Sequence, residues 1–177
     1  MKTSIYAAAV SLVALVSSIP AMAQGPSLPL VGSPSSITAG VFLPSSSDAK
    51  NAGGSTQFDV NFNYTLPVPN VTSVSSRTIL GLGVEAGSKS GKHETIVPIT
   101  IGQIYSLSGG GVTQAGQTYA GAGLGVYVLN QSGLATSGKI GGYVQLGYNI
   151  NDTTFVDAKY QGVKSANGFT ANVGFRF

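Results

Sequence analysis

His93 is the one imidazole of this 177-residue chain, and cysteine is absent. Any catalysis or metal binding would have to be assembled from six carboxylates, hydroxyls and amides. A histidine works as a general base when a second group orients its ring and a nucleophile lies within reach. His93 stands in Lys92-His93-Glu94-Thr95, in a stretch expected to be a loop, and no separate acid is placed by spacing to orient it. It reads as a solvated loop histidine. A transition-metal site needs a set of Cys, His or carboxylate ligands that this composition does not supply. Asp48 and Asp152 stand alone and do not approach the spacing of a calcium loop. Gly121, Gly123 and Gly125 superficially match a phosphate loop, but no helical pattern follows them to supply an anion-binding N-terminus. Glycines that make room in a sheet are the better reading. The chain is therefore expected to have no catalytic residue, no cofactor and no metal.

What remains is a set of charges with regular placement: Asp59, Arg77, Glu85, Lys139, Asp157, Lys159 and Arg176. Each falls within or at the end of a segment of alternating apolar and polar residues, and each belongs to the non-apolar set. In a β-strand those two sets point to opposite faces. The clearest segment is Gln57 to Leu66, where Phe58, Val60, Phe62, Tyr64 and Leu66 alternate with Gln57, Asp59, Asn61, Asn63 and Thr65. Phe169, Ala171, Val173, Phe175 and Phe177 alternate in the same way with Thr170, Asn172, Gly174 and Arg176. Six further segments follow the period, near residues 37–43, 80–86, 97–102, 119–128, 139–150 and 156–161, separated by Gly, Ser, Pro, Asn and Asp. Eight strands are expected. Pro98 falls inside the fourth, where a missing N–H implies either a bulge or a later start to that strand.

Alternation alone does not choose the compartment. In a soluble sandwich the apolar face is the core; in a membrane barrel it meets lipid and the polar face lines the lumen. Three features favour the membrane. The segments approach the roughly 9 to 11 residues that a tilted strand needs to cross the apolar band. Aromatic residues stand near the ends of the apolar rows, at Phe58, Tyr64, Tyr148, Tyr160, Phe169 and Phe177, as interfacial girdles would. The polar rows are rich in glycine, which suits the crowded interior of a small barrel.

The N-terminus adds an address. Lys2, an apolar run from Ile5 to Val16, and Ala21-Met22-Ala23 before Gln24 follow the plan of a cleaved secretory signal. The apolar run is too short to cross a bilayer as a helix. Residues 1–23 are thus expected to be a signal peptide, and 24–177 a single barrel domain. The lack of cysteine excludes a disulfide-stapled secreted scaffold. Charged residues are only 8% of the chain, against a usual value of about 25%, and no basic run suggests nucleic acid.

In Tyr119-Ala120-Gly121-Ala122-Gly123-Leu124-Gly125-Val126-Tyr127 and in the closing strand Phe169 to Phe177, the chain resembles the small outer-membrane barrels of Gram-negative bacteria, the OmpA, OmpX, OmpW and opacity-protein-like group. The resemblance implies an eight-stranded antiparallel up-and-down transmembrane β-barrel in the outer membrane. It also implies that Phe169, Phe175 and Phe177 form a C-terminal signal read by the barrel-assembly machinery. Some barrels of this kind are lipid A deacylases or acyltransferases with a His and a Ser near the outer rim; here the His-x-Ser arrangement is absent, because position 95 is Thr.

With both termini in the periplasm, external loops are expected near 44–56, 87–94, 129–137 and 163–168. Periplasmic turns are expected near 67–76, 107–116 and 151–153. An eight-strand barrel is only wide enough for side chains to fill it, so the seven charges are expected to form a lumen network, with Arg176 beside Asp157. The expected partners are outer-membrane lipid, the assembly machinery, and surface or host ligands met through the loops. The expected function is non-enzymatic, either structural or surface-interacting, or a minor small-solute pore. A secreted soluble β-sandwich that binds a ligand is the alternative, and a lipid A-modifying barrel enzyme a more distant one.

Overall fold

A sheet whose strands alternate this evenly has no spare residues to cover an edge, and closing on itself is the one arrangement that removes edges altogether. The computed structural model, which describes residues 35–66 and 75–177, has that closure. Its strands are β1 (Ser36–Pro44), β2 (Gln57–Leu66), β3 (Ser76–Lys89), β4 (Lys92–Ser106), β5 (Thr118–Gln131), β6 (Ser137–Asn149), β7 (Thr154–Gly162) and β8 (Gly168–Arg176). Each pairs antiparallel with the next, and β8 returns to pair with β1 from Ser36↔Arg176 to Pro44↔Gly168. The expected leader, 1–23, lies outside the described residues, as does most of the turn expected at 67–76.

The parity expected from the sequence decides the two faces. Phe58, Leu124 and Val173 are 53%, 66% and 59% exposed on the outside, and Phe62 is half-buried beside them. Asp59, Glu85, Thr170 and Gln161 are buried on the inside. A two-layer sandwich would show the reverse, with these aromatic and aliphatic rows packed against a second sheet. One closed sheet with its apolar rows outward excludes that alternative for the described chain.

β4 runs straight through Pro98, correcting both expectations for it. The register on either side, Leu82↔Ile99 and Glu85↔Ile96, is continuous, so no residue is inserted and no bulge forms. Pairing with β3 lapses opposite Val97 and Pro98, while pairing with β5 is unbroken through Pro98↔Tyr127. The missing N–H therefore falls on one seam only, at a cost of about one hydrogen bond, or ~1 kcal/mol.

The β3–β4 hairpin is longer than expected. Both strands extend into residues 87–94 and meet at a two-residue turn, Ser90 and Gly91, with φ of 51° and 81°. Two positive φ values give a turn whose twist matches the flanking strands. The β1–β2 connection holds a short helix, α1 (Ser47–Gly53), whose N-cap Ser46 accepts from the Ala49 N–H. No helix of the described residues is long and apolar enough to cross a membrane.

Candidate functional site

Three layers fill the inside of the barrel. At the loop end, Phe42, Ile96, Tyr127, Leu129, Val163 and Ala166 form an apolar plug. At the opposite end, where β1 begins and β8 ends, Ile79, Ile104, Val112, Tyr119 and Phe155 form a second one. Between them lies a polar belt. Cavities of about 20 and 40 Å³ lie in the described lumen, one between Asn61, Tyr143 and Lys159, the other between Arg77, Tyr119 and Arg176. Such volumes admit single waters or a few of them, not a sugar or an amino acid. The glycines of β5 belong to this filling. Gly123 lies where a Cβ would meet the Tyr143 ring at 2.5 Å, and at Gly125 it would meet Thr100 Cγ2 at 2.7 Å.

All seven charges expected to point inward stand on the inward row. Asp59, Glu85 and Arg176 are buried, whereas Arg77, Lys139, Asp157 and Lys159 are half-buried. Their partners are not the expected ones. Among the described residues none of the seven forms a direct ion pair with another. Asn61 Nδ2 donates to both Asp59 oxygens at 2.8 Å. Gln161 Nε2 donates to Glu85 Oε2 at 2.7 Å. Asn172 Nδ2 donates to Asp157 Oδ1 at 3.3 Å. Register explains the last, because Asp157 lies opposite Asn172, whereas the Arg176 N–H donates to the Thr153 carbonyl further along.

Arg176 and Asp157 line one cavity and attract each other through space, without a direct contact. Arg176 Nη2 donates to Asn149 Oδ1 at 2.6 Å, and its guanidinium lies 4.1 Å from the centre of the Phe155 ring. Arg77 Nη2 donates to Thr113 Oγ1 at 3.4 Å. Lys159 faces the Tyr143 ring at 5.9 Å and interacts through space with Asp59, Glu85 and Asp157. Amides bond these buried carboxylates without the desolvation cost of a second buried charge, although Glu85 Oε1 keeps no hydrogen-bond partner.

Sequence reasoning missed one inward acid and the amides that serve it. Glu94 is buried, with Gln57 Nε2 donating to it at 2.6 Å and Gln131 Nε2 donating to its other oxygen. Extending the parity of the fourth strand back from Thr100 by even steps would have placed Glu94 inward. Ser132 was also missed. Its hydroxyl lies 2.7 Å from His93 Nδ1 and accepts the His93 backbone N–H at 2.8 Å. His93 is thus a half-buried strand residue clasped to the start of the β5–β6 loop, not a free loop side chain. Among the described residues no acid or amide bonds its ring, and the Ser132 hydroxyl meets both the His93 backbone N–H and Nδ1. The pair ties the start of β4 to the residue that follows β5.

The plug at the terminal end depends on Asn149, which is fully buried. Its Nδ2 donates to the carbonyls of Val112 at 2.8 Å and Gln114 at 3.1 Å, holding the β5-ward end of the 107–117 connection inside the barrel. Asn149→Ala removes these bonds and strands the Arg176 guanidinium, at a cost of about 2 kcal/mol. Amide exchange in residues 111–117 is expected to speed up by roughly tenfold to thirtyfold. Unchanged exchange there would show that Asn149 does not hold the plug.

Outside, the apolar rows form a belt edged by aromatics at both ends. Phe58, Tyr160 and Phe169 stand toward the loop end, with the Tyr160 and Phe169 rings 4.7 Å apart. Tyr64, Tyr105, Tyr148, Phe175 and Phe177 stand toward the terminal end. A contiguous exposed apolar belt is rare on a protein surrounded by water on all sides and marks a surface that meets lipid or a partner.

No protein-family model and no curated protein sequence matches the chain. Solved structures do match in fold. The Yersinia pestis outer membrane protein Ail, determined in a phospholipid bilayer nanodisc, aligns at a TM-score of 0.52 with 14% identity, over 82% of this chain and 100% of that one. Neisserial surface protein A aligns at 0.51 with 14% identity, over 81% of this chain and 94% of that one. At this identity the likeness is one of fold, and it is the fold of the small outer-membrane barrels.

Proposed function

We propose that the chain resides in the outer membrane of a Gram-negative cell as a closed, non-enzymatic barrel that acts through its loop end. One observation carries the reading: a continuous belt of apolar side chains faces outward, while amides and charges fill the middle of the lumen between two apolar plugs. In water that arrangement exposes what folding should bury; in a bilayer each face meets the solvent it suits. The two neighbours in fold are an outer membrane protein held in lipid and a surface protein, which supports the placement. Residues 1–23 serve as the cleaved export signal in this reading. Phe169, Phe175 and Phe177, on the outward row of β8, present the C-terminal strand to the assembly machinery.

A closed lumen is favoured over a pore, because apolar plugs fill both ends of the described lumen and its cavities of about 20 and 40 Å³ have room for waters but not for a sugar or an amino acid. Expressed in a Gram-negative host, the protein is expected in the outer-membrane fraction, starting at Gln24 and with gel mobility that changes on heating. Refolded into vesicles, it is expected to add no measurable permeability to pentoses. Recovery as a soluble periplasmic protein would overturn the placement, and rapid pentose uptake would overturn the closed lumen.

A further inference from the structure

The chain has two arginines, Arg77 at the start of β3 and Arg176 at the end of β8. Strand direction brings both to the same end of the lumen, where they line the cavity of about 40 Å³ together with Tyr119, Phe155 and Asp157. Arg176 is 6% exposed and Arg77 is half-buried. Each guanidinium commits one nitrogen to the protein, Arg77 Nη2 to Thr113 and Arg176 Nη2 to Asn149. In each, Nη1 is buried with no hydrogen-bond partner among the described residues. A buried, unpaired donor on a cation is costly. Here two such groups border one cavity, and their like charges repel.

The acids nearby offset this charge only in part. Asp157 lines the same cavity, but Asn172 and Tyr119 bond it and Lys159 also draws it through space. Asp152 attracts Arg176 from an exposed position, where its Oδ1 accepts the Ala115 N–H. Two fixed cations therefore share the cavity wall with one carboxylate that is itself shared. We propose that this cavity binds a monatomic monovalent anion, chloride, between the guanidinium groups of Arg77 and Arg176.

Size and lining select the ion. A volume of about 40 Å³ holds about two or three waters, enough for a halide and too little for sulfate or phosphate. Ile79, Ile104 and Phe155 supply an apolar part of the wall, which offers no donors to the outer oxygens of a larger anion. The bound ion also fastens the plug. Arg77 holds Thr113 of the 107–117 connection, and Arg176 holds Asn149, which bonds the carbonyls of Val112 and Gln114. An ion that draws the two guanidinium groups together fixes both tethers, so opening the connection releases it. A ligand that binds only the closed form stabilises that form by mass action.

The test follows amide exchange of residues 111–117 in the full barrel in phosphatidylcholine nanodiscs, with sodium chloride replaced by sodium gluconate at constant ionic strength. Gluconate is too large for the cavity. For a Kd of about 30 mM, chloride at about 300 mM is expected to slow exchange there about tenfold. Bromide is expected to act like chloride. Arg77→Gln is expected to abolish the halide dependence, and heat-shifted mobility on gels reports that the variant barrel is closed. Equal exchange of the parent in chloride and gluconate overturns the inference, as does a full chloride response in the closed variant. Crystals of the parent grown in bromide give a second readout that needs no variant. An anomalous scattering peak is expected within hydrogen-bond reach of both guanidinium groups, and its absence there overturns the site. Either failure leaves the membrane reading standing, because neither measurement reads where the barrel resides.

Discussion

Leu124→Arg is expected to destabilise the barrel in a bilayer by about 2 to 4 kcal/mol, the cost of a guanidinium at mid-depth on the lipid-facing surface of a transmembrane barrel. Leu124 lies midway along β5, between Ile101 of β4 and Gly142 of β6, and is 66% exposed. Its side chain has few protein neighbours to lose, so packing contributes little and the solvent decides the sign. In a water-soluble protein the same change at so exposed a site would fall within about 0.5 kcal/mol of neutral. Asn130→Arg, on the same outward row of β5 but at its loop end, should cost about 0 to 1 kcal/mol, because the penalty falls off toward the interface. Denaturant titration of both variants in phospholipid vesicles measures the gradient. Equal effects at the two depths would mean that hydrocarbon does not surround the barrel.

The same face-by-face logic separates what the sequence displays from what it conceals. Parity was legible wherever the two faces meet different solvents, because each step along the strand then selects a residue type. That holds for β2, β5, β6 and β8, and it placed all seven charges on the inward row. It fades at the loop end of β3 and β4. There Gly87, Ser88, Lys89 and His93 stand past the apolar belt, so the strand reads as loop until the pairing Lys89↔Lys92 is known.

Helix α1 was hidden for a related reason. Seven residues give too short a window for a 3.6-residue period, and its buried members, Ala49, Ala52 and Gly53, are small. Charge partners were hidden by register. Sequence supplied a row of candidates, but which residue lies opposite Asp157 depends on the length of the β7–β8 connection. Asparagines and glutamines, silent in a count of charge, then took the place expected for arginine and lysine.

Gly40→Val is expected to cost about 3 kcal/mol and to reduce the yield of closed barrel. Gly40 stands on the inward row of β1 opposite Asn172 of β8. A Cβ there would fall on the Ala171 carbonyl oxygen and the Asn172 side chain, and within 2.8 Å of Asn172 Cα. Two of those obstacles are backbone atoms of the seam that joins the first strand to the last, so relief requires the strands to part rather than a side chain to swing. Overpacking of this kind typically costs 1 to 3 kcal/mol, with the upper end expected where backbone must move.

The position also matters for assembly. The β1–β8 seam joins the first strand to the last, the pairing of greatest sequence separation, and its loop-closure cost is expected to make it slow to form. Gly162→Val offers a matched control, since a Cβ at Gly162 would have only Gly142 O nearby, at 3.9 Å. It should fold in near-parent yield. Refolding both variants into vesicles and scoring the heat-shifted band tests the difference: equal yields would mean that the seam tolerates a side chain at Gly40 and that closure is not limited there.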